Sequence, residues 1–361
     1  MKMLKYCYYS VIMLLTACRG QGHDSFTPPV FPETKQVTVT PLLNDFLFDL
    51  PNQIEDMGDY LVIMGYRENR FLHIFKKISG AYVKSFATLG RGPGEMVGGP
   101  SIRMSEDKSK LFAYQRSSNV YWTYNVENIV NDNQVQPVKA EKVTIFLDEG
   151  ERHPGTITDY LAWKDKRLFM RNRLHRFEVQ DTLGNTLYLY DKYPEVPFEQ
   201  ASDSSHFHNS YLHAVLALKP DMSRFVVASY IGCIMEIFTV DSSGKIEKEI
   251  EKRFHPPFFT AIPPSFTNFF VSGKTIKGIQ DLSVTDEFIY AKYDGSIYYK
   301  DQPERSRRNV IAVFDWSGKP IRRYILDWKK FYNFFVDDQQ NRCYLIGEDA
   351  DDEILLGYFD L

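Results

Sequence analysis

The feature that most constrains the fold of this chain is a strand-turn-strand pattern that recurs along it. In each copy, a run of alternating apolar residues stops at a turn that carries Gly, and a second run begins a few residues later. Asp, Ser and Gly adopt turn conformations at low cost, so two such runs around a turn are typical of a β-hairpin. The clearest copies have their first strands at residues 72–75, 177–179, 237–240 and 313–314.

A second hairpin precedes these copies and completes a repeating unit. It consists of a short apolar strand, a polar turn and another strand with aromatic residues. Its two strands lie at residues 102–105 and 111–114, 160–163 and 168–170, 214–218 and 225–228, 282–284 and 288–291, and 334–336 and 343–346. The first unit has a less distinct start and a strand at residues 60–64. Six units of four short antiparallel strands are the composition of a β-propeller.

The two ends of the chain complement each other. The last unit ends after residues 353–359 without a fourth strand, and residues 35–40 form a strand that belongs to no unit. A ring in which this strand completes the last unit leaves no strand edge open. We therefore predict an all-β fold, a six-bladed β-propeller of four-stranded antiparallel blades over residues 35–361, with the ring closed by the N-terminal strand.

Residues 1–17 have the order of a secretory signal peptide. Lys2 and Lys5 precede an apolar run at residues 11–15, which is shorter than the ~20 residues that span a bilayer. The sequence Leu-Thr-Ala-Cys that ends at Cys18 resembles the lipobox of bacterial lipoproteins. This resemblance implies that Cys18 is acylated and becomes the new N-terminus. The alternative is an ordinary signal peptide with a chance cysteine. Residues 18–34 are polar and contain several Gly and Pro, which predicts a flexible tether.

Location and charge narrow the range of partners. A lipid on Cys18 implies a protein anchored in the cell envelope. Arg19 does not resemble an inner-membrane retention signal, which implies the outer membrane, on its periplasmic side or at the cell surface. The net charge is −4 and the Lys and Arg residues are scattered, so the basic stripe typical of nucleic-acid binding is missing. The expected partners are the membrane, through the lipid, and an unknown protein, peptide or glycan.

The cysteines and histidines of the mature chain offer few ligands. Cys233 and Cys343 lie in strands of blades that are not neighbours, so we expect two buried free thiols rather than a disulfide. His206 and His208, with His213 nearby, are the best candidates for a divalent-metal site. The competing interpretation is a solvated loop, because Ser and Asn surround these histidines. No other cofactor is expected, and no catalytic residue is identified.

The link between the first two units carries a distinctive motif, Gly90-Arg91-Gly92-Pro93-Gly94-Glu95. It is similar to the link of the TolB-like six-bladed propeller lipoproteins of Bacteroides-type bacteria and to the inter-blade segment of NHL repeats. Met96 stands where that family often has an aromatic residue. The resemblance implies a fold and a compartment, and it transfers no catalytic residue. We expect a structural crossing between blades, since Glu95 and Pro93 do not fit the glycine and the helix of a dinucleotide loop.

Two functions from different classes remain open. The first is a non-catalytic scaffold that binds a ligand or a protein at the channel mouth and the upper loops, including one within an envelope complex. Residues 131–141, 192–211 and 254–277 are the candidate loops. The alternative is an enzyme at the channel mouth, such as a metal-dependent hydrolase, lactonase or lyase. It requires carboxylates or histidines that converge on the axis from several blades.

Overall fold

The computed structural model describes residues 26–42, 51–147, 157–171, 175–194, 214–260, 270–298 and 309–361. Six antiparallel sheets follow one another along the chain, and the inner strand of each contacts the inner strands of the two neighbouring sheets. The contact between the first and sixth inner strands completes the circle. The predicted six-bladed, all-β propeller is therefore confirmed.

Each blade contains four strands that run from the channel to the outside. Blades one to three contain Gln53–Asp56, Tyr60–Arg67, Arg70–Lys76 and Tyr82–Thr88; Ser101–Met104, Lys110–Gln115, Val120–Asn125 and Lys139–Lys142; and Ile157–Trp163, Lys166–Arg171, Phe177–Asp181 and Thr186–Tyr190. Blades four and five contain Val215–Leu218, Arg224–Ala228, Cys233–Val240 and Ile246–His255; and Ile279–Val284, Phe288–Tyr293, Val310–Asp315 and Pro320–Leu326. Blade six contains Lys330–Asp337, Arg342–Glu348, Ile354–Asp360 and the short strand Thr40–Pro41. Two further short strands, Phe259–Thr260 and Phe270–Val271, pair between blades four and five.

The recurring turn of the sequence has a common hydrogen-bond pattern. The Asp241 carboxylate accepts from the backbone N–H groups of Ser243 and Lys245 at 2.8 and 3.0 Å. Gly244 has a φ of +94°, a conformation that L side chains rarely adopt. Asp181 and Asp315 accept from the equivalent N–H groups. The Asp therefore caps the turn, and the Gly allows the chain to reverse into the outer strand.

The N-terminal segment closes the ring, but it is divided between two blades. Glu33–Val37 pairs in parallel with the outer strand of blade five and forms a fifth strand there. Thr40–Pro41 then pairs with Ile354–Asp360 and supplies the fourth strand of blade six. Asp327 holds the crossing, since its side chain accepts from the Val39 N–H at 3.0 Å and its own N–H donates to the Val37 carbonyl at 3.2 Å. The predicted single strand at residues 35–40 is thus two strands with a crossing between them.

The hydrophobic core consists of six separate clusters, one between each pair of adjacent blades. Between blades three and four, for example, the ring of Phe177 lies 5.6 Å from that of Phe225 and 5.3 Å from that of Phe238. Phe225 and Phe238 stack at 4.9 Å. Aromatic side chains fill the wedge-shaped space between two twisted sheets, which accounts for the high aromatic content of the sequence.

Three further expectations concern single segments. Cys233 in blade four and Cys343 in blade six are buried free thiols, as predicted. Residues 131–141 do not link two blades: they join the third and outer strands of blade two, after the short helix Val126–Asn131. Contacts with the propeller begin upstream of residue 35, because the Thr27 N–H donates to the Arg253 carbonyl at 2.8 Å.

In the part of the chain that the structure describes, no helix is long and apolar enough to cross a membrane.

Candidate binding site at the channel mouth

A cavity of about 890 Å³ opens where the six inner strands begin. We call this cavity the mouth, and all six blades contribute to its wall. Polar and apolar surface contribute about equally to this wall, and the polar residues used below are Asn52, Gln53, Arg103, Arg116, Asp159, Tyr230, Gln280, Asp281, Lys292, Tyr332 and Asn333. A cavity of this volume is in the range of small-molecule sites in proteins.

A ring of six backbone N–H groups faces the base of the mouth, one from the same position of each inner strand. These groups belong to Ile54, Ile102, Tyr160, Leu216, Leu282 and Phe334. Four side chains accept hydrogen bonds from all six. Asn333 accepts from Ile54 at 2.9 Å, and Gln53 accepts from Ile102 at 2.8 Å, so each of these side chains binds the next blade.

The other two acceptors are aspartates that each bind two N–H groups. Asp159 accepts from the N–H of Tyr160 in its own blade at 2.8 Å and from that of Leu216 in the next blade at 3.3 Å. Asp281 accepts from Leu282 in its own blade at 2.9 Å and from Phe334 in the next. Each aspartate also binds the N–H group of its own blade because the preceding blade offers no long acceptor at the equivalent position. Blade two has Ser101 there, and blade four has Val215. A short hydroxyl and an apolar side chain do not replace a long acceptor, so a carboxylate with two oxygens takes both bonds.

Arg103 forms the floor of the mouth. Its guanidinium donates to both oxygens of Asp159, at 2.9 and 3.1 Å, and to Glu55 at 3.4 Å. Below it lies a second cavity of about 290 Å³, which Arg103 and Glu55 also line. Three blades therefore contribute to one charged cluster that separates the mouth from this lower cavity.

Burial alters the acidity of this cluster. It raises the pKa of Glu55 to about 7, against the opposing effect of Arg103. It also raises the pKa of Asp281 to about 7, against the opposing effect of Lys292. Burial alone would lower the pKa of Arg103, but Asp159 and Glu55 raise it above its ordinary value. The guanidinium is thus the permanent charge at the axis, and Glu55 and Asp281 change charge near neutral pH.

Two more cations lie higher in the mouth. Lys292, in blade five, donates to the Tyr332 carbonyl at 2.8 Å, and its ammonium lies 5.1 Å from the centre of the Phe331 ring. Arg116, exposed in a hairpin of blade two, donates to the Thr158 carbonyl at 2.7 Å. Arg116 forms no ion pair with any residue that the structure describes.

The predicted inter-blade motif is a closed turn beside the mouth. Glu95 accepts from the Gly92 N–H at 2.6 Å, and a β-carbon on Gly90 would lie 1.9 Å from the same carboxylate oxygen. The Gly90 N–H donates to the Met96 carbonyl at 2.9 Å, and Gly94 has a φ of +78°. None of the motif residues lines the cavity, but the residues directly after it, 97–100, do. The motif therefore positions part of the mouth wall.

The predicted lipidation and metal residues, Cys18, His206 and His208, lie outside the described residues, so these predictions stay untested. Within the described ranges, no three His, Cys, Asp or Glu side chains form a group that could hold a metal ion. The polar ring and Arg103 were not predicted from the sequence. A signal was present, because a polar residue directly precedes an apolar one at the start of four inner strands: Gln53-Ile54, Asp159-Tyr160, Asp281-Leu282 and Asn333-Phe334.

Comparisons with known proteins agree with this architecture. Among solved structures, a protein from Bacteroides fragilis described as exported has a TM-score of 0.55 at 13% identity, and the match covers 91% of this chain and 99% of that one. A member of the DUF4221 family from Bacteroides vulgatus has a TM-score of 0.55 at 12% identity, and the match covers 90% and 97%. At these identities the likeness shows the fold alone. No curated protein matches the sequence.

A family model gives the stronger result. The model described as TolB-like 6-blade propeller-like matches residues 30–339, which include blades one to five and the inner and outer strands of blade six. The match agrees with the resemblance found in the sequence and with the observed ring of six four-stranded sheets. The chain therefore belongs to the family of TolB-like six-bladed propellers.

Proposed function

We propose that this protein is a lipid-anchored protein of the cell envelope whose propeller binds a small polar molecule in the mouth. The observation that carries the proposal is the mouth itself, a cavity of about 890 Å³ with polar side chains from all six blades. Sites of this kind are concave, few per protein and formed before the ligand arrives.

The base of the mouth is suited to a fixed site. Asn333, Gln53, Asp159 and Asp281 hold it by hydrogen bonds that connect neighbouring blades. Arg103 adds a bidentate contact to Asp159, which restricts both side chains. Groups that are held in place before binding lose little entropy when the ligand arrives, so this rigidity favours affinity.

Export and anchoring rest on the N-terminal sequence. Residues 1–17 have the order of a signal peptide, and Cys18 ends a lipobox-like sequence. The similar protein from Bacteroides fragilis is described as exported, which supports the same compartment for this chain. An outer-membrane anchor is part of the proposal, with the propeller on either side of that membrane.

We favour binding over catalysis at the mouth. The enzyme alternative needs a carboxylate or histidine that is free to transfer a proton or to hold a metal ion. Asp159 already accepts hydrogen bonds from Arg103 and from two backbone N–H groups. Asp281 accepts from two N–H groups and from the Asn333 side chain at 2.5 Å. These contacts suit a structural role better than acid–base chemistry.

A blocked mouth tests the proposal. Gln280 lines the cavity, and a Gln280→Trp variant would fill part of it. Gln339 is exposed in a turn of blade six at the opposite end of an inner strand, so Gln339→Trp is the matched control. Saturation-transfer NMR against a defined panel of sugars, hydroxy acids, amino acids and nucleosides should show binding to the unmodified protein and to the control. Loss of that signal in Gln280→Trp alone is expected; equal signals in all three proteins would contradict the proposal.

A further inference from the structure

We infer that the molecule bound in the mouth is a sugar acid, a small molecule with several hydroxyl groups and at least one carboxylate. The inference rests on the proposed function and names its ligand class. It follows from a difference between the acceptors and the donors of the site. The protein uses its anionic acceptors internally, and it leaves cationic and amide donors in the wall.

The carboxylate acceptors of the site, and the amide oxygens of Gln53 and Asn333, are occupied by groups of the protein. The two Asp159 oxygens receive four hydrogen bonds in total, two from Arg103 and two from backbone N–H groups. The side-chain oxygens of Gln53 and Asn333 each accept from a backbone N–H of the next blade. A ligand that arrives mainly with donors, such as a polyamine, would therefore compete with bonds that hold the ring together.

Donors, by contrast, remain available. A guanidinium has five N–H groups, and Arg116 donates to one described acceptor, the Thr158 carbonyl. Gln53 uses only its carbonyl oxygen, so its amide N–H₂ group still faces the cavity. The side chains of Asn52 and Gln280 also line the mouth and have no hydrogen-bond partner among the described residues. A ligand rich in acceptor oxygens fits this set.

The cations are placed around the cavity. Arg116 belongs to blade two and Lys292 to blade five, which are three blades apart in a ring of six and therefore on opposite sides. Arg103 lies at the floor between them. Arg103 already contacts Asp159 and Glu55, whereas Arg116 forms no ion pair among the described residues. A carboxylate on the ligand would pair with Arg116 on one side of the cavity or with the ammonium of Lys292 on the other.

The remaining surfaces suit a sugar ring. Tyr230 and Tyr332 are half-buried in the wall, from blades four and six. Aromatic side chains offer apolar faces next to polar edges, as the C–H faces and hydroxyl edges of a sugar do. Gln53, Asn52 and Gln280 supply amide groups for the hydroxyls. The volume of about 890 Å³ leaves room for a mono- or disaccharide with its bound water.

Three probes that differ mainly in charge test this inference: glucuronate, glucose and glucosamine. Their dissociation constants can be measured by NMR titration of the mature protein. We expect glucuronate to bind about tenfold more tightly than glucose, or better, because one charge-assisted hydrogen bond separates them. Glucosamine should bind most weakly. The affinity for glucuronate should fall as salt is added, and that for glucose should not.

Single substitutions identify the cations that cause the preference for glucuronate over glucose. Arg116→Gln and Lys292→Gln should each weaken glucuronate binding about tenfold and weaken glucose binding much less, because only glucuronate loses a charge-assisted contact. Lys292→Arg keeps the charge and should retain binding, which separates lost charge from lost folding. Arg70→Gln is the matched control, because Arg70 is an exposed arginine in the corresponding hairpin of blade one and does not line the mouth.

The outcomes separate the inference from the proposed function. Equal affinities for glucuronate and glucose, an unaffected Arg116→Gln variant, or no binding of any of the three probes at 10 mM would each overturn the sugar-acid inference. The proposed function would survive these results if another compound of the NMR panel lost its binding in Gln280→Trp. If no compound of that panel binds at the mouth, both fail.

Discussion

Lys77 of blade one donates a hydrogen bond to Asp337 of blade six over 2.7 Å, and this buried contact joins the first and last blades of the ring. The same ammonium donates to Asp56 at 3.0 Å, and Lys108 of blade two also pairs with Asp56. Although burial opposes ionisation, the contact with Lys77 lowers the pKa of Asp337. This cluster therefore fastens blade one to blade six, and the N-terminal strand contributes to the same closure.

Removal of the Lys77 ammonium should therefore destabilise the whole propeller. A Lys77→Met variant leaves Asp337 buried without its cation, and such a loss costs about 3 kcal/mol in the free energy of unfolding. The exposed neighbour Lys76 provides the control, since Lys76→Met removes the same charge from the surface. Urea denaturation measures both. If the two variants have the same midpoint, the cluster does not hold the ring.

The hydrogen-bonded ring at the mouth should be sensitive to a single side chain. Asp159→Ala leaves two backbone N–H groups without their acceptor and removes the bidentate partner of Arg103, and we expect a loss of about 3 kcal/mol or more. Asp59→Ala, at an exposed turn of blade one, removes a carboxylate that forms no hydrogen bond or ion pair in the described part of the chain, and it should cost less than about 0.5 kcal/mol. Thermal or urea unfolding of the two variants decides whether the inter-blade bonds contribute to stability.

Glu55 should make the stability depend on pH. Its pKa is raised from 4.5 to about 7, so the folded state binds this proton more tightly than the unfolded state. Between these two values the stability contributed by the proton is lost as the pH rises, by about 3 kcal/mol in all. In Glu55→Gln the neutral form is permanent, and this part of the pH dependence should vanish. Urea unfolding at pH 5 and pH 8 compares the two proteins. A parallel pH dependence in both would contradict the assignment.

The inter-blade motif offers a test by double substitution. Gly90→Ala places a β-carbon where the Glu95 carboxylate lies, so Glu95 must move and lose its bond from the Gly92 N–H. We expect Gly90→Ala to cost about 1 kcal/mol in the natural background. In a Glu95→Ala background the space is empty, and the added cost should be close to zero. Additive effects in this cycle would show that the two residues do not act through one contact.

The predicted anchor can be tested in cells. Cys18→Ala should abolish incorporation of labelled palmitate and move the protein from the detergent phase to the aqueous phase after Triton X-114 separation, because the acyl chains provide the membrane affinity. Cys7 lies inside the predicted signal peptide, so Cys7→Ala serves as the control and should remain anchored. Palmitate incorporation that persists without Cys18 would contradict the lipobox prediction.

Much of the fold could be predicted because its signals are local. The alternation of apolar residues identified both hairpins of nearly every blade, and a turn with Asp and Gly often marked the outer one. The Asp241 turn shows why such signals are local, because all its hydrogen bonds lie within five residues. The unpaired strand positions at the two ends of the chain indicated closure. The division of the N-terminal segment was not predictable, because it depends on Asp327, which is 288 residues away from Val39 in the sequence.

The residues of the mouth also could not be predicted from the sequence, because their contacts join distant parts of the chain. Asn333 accepts from the Ile54 N–H across 279 residues of sequence, and Arg103 meets Asp159 only because the ring brings blades two and three to one axis. The sequence by itself determined the repeating unit, the number of blades and the closed ring, since strand alternation and turn chemistry act between neighbouring residues. The tertiary structure alone decided which polar side chains share the channel, because that depends on the register of each inner strand and on the angle between successive blades.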